Sequence, residues 1–178
     1  MIQIKNAAEL EKMRKACAIS AAALKAGGEA IEPGITTAEI DKIIYDFIVR
    51  HGARPNFLHL YGFPATACIS VNDTVIHGIP SRQQQIRPGD IVSIDTGCKI
   101  DGFNGDNACT YACGKIDLEA QRLLDVTKEG LHRGIEMARG GNRVGDIGHA
   151  VQSYVEENGF SVVRSFVGHG VGKELHED

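Results

Sequence analysis

The sequence predicts an α+β fold: a helix–helix–β-hairpin unit, duplicated by a pseudo-twofold around an antiparallel sheet, with the second unit incomplete. Three observations predict it. Two apolar-rich runs flank Asp101-Gly102, a dipeptide that suits a two-residue type I′ turn because both positions tolerate positive φ. Apolar residues recur at helical spacing in two pairs of segments, about 6–52 and 117–159. A shift of 107 positions lays the second pair on the first without a gap.

The helices follow in order. Asn6 and Glu9 have capping-box spacing, and a helix should run to about Lys25, with Leu10, Met13, Cys17, Ser20 and Leu24 inward and Gly27-Gly28 loosening its end. Thr36 and Glu39 form a second capping box before the stripe Ile40, Ile43, Ile44, Phe47, Ile48, which Gly52 stops. Residues 53–65 carry two prolines and read as a loop. A strand is expected from Ala67 to Val71, and Arg87-Pro-Gly-Asp90 is a turn leading into the hairpin. Asp117 can cap a helix to about Ala138, with Leu124, Thr127, Leu131 and Ile135 inward. A helix over Val144–Glu157 presents Ile147, Ala150, Val151, Tyr154 and Val155, and Phe160–Val167 is expected to be a strand.

With Asp101-Gly102 as the turn, Ile100 faces Phe103, Gly97 faces Asp106 and Asp95 faces Ala108. Asp95 and Asp106 then share a face as diagonal neighbours roughly 7–8 Å apart at the backbone. Two acids on one face of an apolar hairpin are costly unless a cation sits between them. That points to a metal pair bridged by carboxylates; the alternative is two solvated acids on an open ribbon.

At 178 residues, 43% apolar and 24% charged, the chain has ordinary soluble composition and length for one substantial core. A net charge of −4 without any run of Lys or Arg argues against nucleic acid or an anionic membrane as partner. The opening MIQIKNAAELEKMRK is charged and helix-patterned, unlike a signal peptide, and no apolar run has transmembrane length. Five cysteines, an odd number, fit free thiols in a reducing cytoplasm. Cys109 and Cys113 read as small buried hydrophobes.

In the repeat, Gly34 falls on Gly141, Ile40 on Ile147, Leu24 on Leu131 and Gly52 on Gly159. The first unit spans about 6–113, so its partner, starting at about 114, should extend beyond Asp178. Residues 1–178 are thus expected to be a single catalytic domain truncated at its C-terminus.

The segments CISVNDTVIHGIP (68–80), RPGDIVSIDTGCKIDGFNGD (87–106) and GHGVGKELHED (168–178), with RPNF (54–57), resemble methionine aminopeptidase of type 1 along essentially the whole chain. The resemblance implies that family's "pita-bread" fold and its activity, removal of the initiator methionine from nascent proteins. It implies a dinuclear site for divalent metal (Mn, Fe, Co or Zn) with Asp95, Asp106 and His169 as ligands, the metals activating water. It makes His77 and His176 catalytic, substrate-contacting histidines, and Phe57, Phe63 and Cys68 walls of the methionine pocket. The substrate is the N-terminal Met of a peptide or nascent chain, with the ribosome nearby. Two glutamate ligands of the family fall beyond Asp178, so this chain is expected to be impaired. Asn104 stands where many members carry His, and Leu60-Tyr61 departs from the family's pocket loop. The alternatives are a non-catalytic binding module on the same fold and a proline-peptidase relative.

Overall fold

The computed structural model describes residues 2–178. Its two compact units are the chain up to Ile116 together with His169–Asp178, and Asp117–Gly168.

The first unit opens with α1 (Ala7–Glu29), capped as expected: Asn6 accepts from Glu9 N, and the Glu9 carboxylate accepts from Asn6 N. Helix α2 (Thr37–Arg50) starts on the Thr36/Glu39 box. Two-residue β1 (Arg54–Pro55), a one-turn 3-10 helix (Leu60–Gly62) and β2 (Ala67–Val71) follow, then β3 (Ile91–Ile100) and β4 (Phe103–Ala112). All pairings are antiparallel and β3 is their hub. It pairs with β1 at Cys98–Lys99, with β2 from Val92 to Thr96, and along its whole length with β4. The hairpin register is the expected one, with Asp101 and Gly102 at φ 52° and 85°. Ile40, Ile44 and Ile48 of α2, Ala23 and Leu24 of α1, and Ile69, Val92 and Ile94 of the sheet form the core.

Several expectations need correction. Helix α1 runs past Gly27-Gly28, because both are buried inside it and the missing side chains admit neighbours. A Cβ on Gly27 would lie 2.7 Å from Ile44, and one on Gly28 2.1 Å from the Tyr111 ring. The inner face of α1 is Ala16, Ser20, Ala23 and Leu24, while Leu10 and Cys17 are exposed. The loop of 53–65 contributes the short strand β1. All five cysteines are free, but Cys109 is exposed, because β4 is an edge strand whose second half lies open.

The second unit is α3 (Leu118–Met137), capped by the Asp117 side chain on Ala120 N, and α4 (Val144–Glu157). Its helix crossing repeats that of the first unit position for position. A Cβ on Gly134 would meet Val151 at 2.8 Å and Ile147 at 3.4 Å; one on Gly27 would meet Ile44 at 2.7 Å and Ile40 at 3.5 Å. The buried residues of α3 are Val126, Gly130 and Gly134, facing α4, whereas Thr127, Leu131 and Ile135 are exposed. Phe160–Val167 is not a strand; among the described residues it has no ladder partner, and an extended segment without one is only a loop.

Candidate active site

The hairpin positions two carboxylates. Asp95 on β3 and Asp106 on β4 stand diagonally across the register pairs Asp95–Ala108 and Gly97–Asp106. Burial, then the charge of Asp106 and a carboxyl–carboxyl hydrogen bond, push Asp95 up to about 7; His169 pulls the other way. Burial also raises Asp106, against the pull of His169, the Asp95 bond, His176 and Asn107 N. The bond raises one acid and lowers the other, as when two carboxylates share one proton.

His169 completes the cluster. Its Nε2 lies 3.6 Å from Asp106 Oδ2, the side chains being 33% and 17% exposed. Its Nδ1 stands 2.9 Å from Gly170 O. A carbonyl only accepts, so Nδ1 carries the proton and in the neutral ring Nε2 presents a lone pair to the carboxylate. Two acceptor atoms facing each other beside a second half-buried acid call for a cation or a proton between them. A backbone carbonyl fixing the tautomer of a ligating histidine is the usual partner arrangement at metal sites. The donor set therefore fits a divalent ion, although among the described residues no three His, Cys, Asp or Glu side chains are already drawn together as a formed cage.

His176 packs edge-to-face on His169 at 4.5 Å between ring centroids, and Tyr61 stacks over His176 at 6.5 Å. Tyr61 sits at φ 49° in the loop before β2. Cys68 lies opposite Asp95 in the β2–β3 register; burial foremost, then Asp95 and Asp106, push its thiol up to about 12. Phe57 is buried against β3, its ring 3.3 Å from where a Cβ on Gly97 would be. Phe63 is half-buried at the end of the one-turn helix, with its amide on Leu60 O. His77 is exposed at φ 57°. The next residue, Gly78, lies so close to β2 that a Cβ would be 2.2 Å from Ile69 O, and its backbone bonds both Ile69 N and the Ser70 hydroxyl. The structure thus links Asp95 to Asp106, Asp106 to His169 and His169 to His176 in a chain of pairwise contacts, and sets Cys68 opposite Asp95 on β3. Phe63 and His77 are carried on the loops on either side of β2.

Residue-by-residue reasoning missed two contributors. Asn104, 3% exposed, holds the histidine loop: its amide N donates to Gly172 O (2.8 Å) and its Nδ2 to Gly172 O (2.9 Å) and Lys173 O (3.0 Å). Glu177 accepts from Lys173 N and Glu174 N and pairs with Lys5. The signals for the first were a polar residue next to Gly105-Asp106 and its standing where many members of the resembled family carry His.

Comparison with known proteins places the chain in a family and a fold. Residues 11–178 match the model of "Metallopeptidase family M24". The methionine aminopeptidase of Clostridium perfringens is 51% identical over all 178 residues, which span 71% of its length. The crystal structure of methionine aminopeptidase from Thermotoga maritima superposes with a TM-score of 0.98 at 41% identity, covering all of this chain and 72% of that one. The Rickettsia prowazekii methionine aminopeptidase structure gives 0.97 at 38% identity, covering all of this chain and 71% of its own. The fold is the pita-bread fold of these proteins.

Proposed function

Because this chain belongs to metallopeptidase family M24, we propose that it is a metal-dependent aminopeptidase that removes the N-terminal, initiator methionine from nascent proteins. One observation carries the reading: Asp106 meets His169 on the face of the hairpin that also carries a second acid, Asp95, diagonally across the register. Two carboxylates and an imidazole suit Mn(II), Fe(II), Co(II) or Zn(II). Asp95, Asp106 and His169 would hold the ion, and a bound divalent ion would supply Lewis acidity and lower the pKa of water. A dinuclear site needs more donors than these three, which by themselves would hold a single ion weakly.

The remaining work falls to side chains of the protein. His77 donates a hydrogen bond to the scissile amide region. His176 stabilises the oxygen on which negative charge collects as the carbonyl becomes tetrahedral. Phe57, Phe63 and Cys68 wall the methionine side chain; thioether–aromatic contact is favourable, and a thiol pushed up to about 12 stays neutral and apolar at pH 7. Five free thiols suit a cytoplasmic enzyme, and a nascent-chain substrate places it near the ribosome. Among the described residues no helix is long and apolar enough to cross a membrane.

The test is release of free methionine from a Met-Ala-Ser peptide with Mn(II) or Co(II). Release is expected to require the metal, to stop with chelator, and to fall to background in Asp106→Ala. Metal and peptide binding without any release would favour a non-catalytic module instead. A form carrying two further acid ligands is expected to act far faster than the 178-residue chain; equal rates would mean that three donors suffice.

A further inference from the structure

Both site histidines ride on one loop, and that loop is closed by groups to which the proposed reaction gives no role. Gly170 and Glu177 form an isolated antiparallel bridge, with N–H···O bonds of 2.8 and 2.7 Å in the two directions. His169 and His176 each immediately precede a bridge residue. Pairing 170 with 177 is therefore what brings the two rings to 4.5 Å, and it gives the seven-residue histidine spacing a geometric reason.

Two backbone bonds on a loop are a weak closure, and side chains reinforce them. The Glu177 carboxylate turns back into the loop and accepts from Lys173 N at 2.8 Å and Glu174 N at 3.3 Å. The same carboxylate pairs with Lys5, on the arm before α1; the two side chains are only 11% and 14% exposed. It fills the space that a side chain at position 172 would need, since a Cβ there would lie 2.3 Å from its Oε1. Lys173 reaches Glu9 of α1 at 2.8 Å, and Asn104 grips the loop at Gly172 and Lys173. Fully exposed ion pairs contribute little, but this pair is largely shielded and also bonds backbone amides, so removing either partner leaves a poorly solvated charge.

We infer that Glu177 is a positioning residue: through its ion pair with Lys5 and its two amide bonds it sets the 170–177 bridge, and so the mutual placement of His169 and His176. What the histidines do rests on the proposed function; where they stand does not.

The experiment uses the full 178-residue chain and its Glu177→Ala, Glu177→Gln, Lys5→Met and Lys5→Arg variants. Three quantities are read: the nuclear Overhauser contact between the His169 and His176 rings, the Kd for Co(II), and kcat and KM on a Met-Ala-Ser peptide. In Glu177→Ala and Lys5→Met the ring–ring contact is expected to vanish and Co(II) to bind about 10–100-fold more weakly, with the amide spectrum of the sheet native and KM changing less than kcat. Glu177→Gln, which keeps amide acceptors but not the charge, falls between. Lys5→Arg, which keeps the pair, restores the contact. A lower Tm with ring contact and Co(II) affinity unchanged below the transition would mean a purely structural role and overturn the inference. Should Glu177→Ala fail to fold, Lys5→Met, on the arm outside the core, gives the same reading. If the parent chain neither binds Co(II) nor releases methionine, the proposed function fails, while loss of the ring contact in the variants still upholds the role of Glu177.

Discussion

Burial and the neighbouring Asp106 both oppose the charge of Asp95 and push its pKa up to about 7. An unfolded Asp titrates near 3.9. Between those values the folded chain binds more protons than the unfolded one, so stability falls as pH rises through this window and stays lower above it. In chelator, Tm is expected to decline from about pH 4 to pH 7. Asp95→Asn, uncharged throughout, should flatten that slope and be more stable than the parent at pH 8. A parent Tm that rises across the window would refute the account. The acids were legible in sequence because one turn dipeptide fixes the register, and the register fixes the face. Glu177 and Asn104 were not. Their importance lies in contacts to residues 172 and 68 positions away (Lys5 and Gly172), and no local pattern encodes such a pairing.

Helix crossings are where the duplication can be tested element by element. Gly27 and Gly134 occupy the same place in α1 and α3, each letting a branched residue of the following helix come close. Replacing a helical glycine by alanine gains up to about 1 kcal/mol in propensity. At Gly27 the new methyl would lie 2.7 Å from two atoms of Ile44, which is fully buried and has nowhere to move. Overpacking of that kind costs roughly 1–3 kcal/mol and outweighs the gain. At Gly134 the neighbour is Val151, only half-buried and free to yield. Gly27→Ala should therefore lower stability in urea titration and Gly134→Ala should leave it nearly unchanged; equal losses would mean that the second crossing is as tightly packed as the first. Element positions were readable from caps and breakers: both capping boxes, the Asp117 cap and the hairpin turn lie where the sequence places them. Helix faces were less so. Glycine and alanine make the closest contacts here, and a search for large apolar residues passes over them, which is why Leu10, Leu131 and Ile135 were assigned inward and lie exposed.

Across the whole molecule, burial is unevenly distributed. The first unit closes contacts among α1, α2 and the sheet, with Ile40, Ile44, Ile48, Ile69, Val92 and Ile94 fully out of solvent. In the second unit the buried apolar side chains are Val126 and Val155, and the rest of the α3–α4 contact is glycine against half-buried residues. At about 25 cal/mol per Å² of apolar surface, so small a core contributes little beyond helix propensity, and an isolated helix pair of this length is marginal in water. Local opening free energies follow buried apolar contact. In native-state hydrogen exchange on the 178-residue chain, amides of α3 and α4 should therefore exchange through low-energy opening, while those of β3 and α2 are protected to the global limit. Urea should affect the two groups differently: the β3 and α2 amides share one steep dependence, and the α3 and α4 amides show a shallower one, because opening them exposes less surface. Protection of α3 equal to that of β3, with a common urea slope, would mean that the chain unfolds as one cooperative body and that the sparse second core is stabilised by more than its own burial.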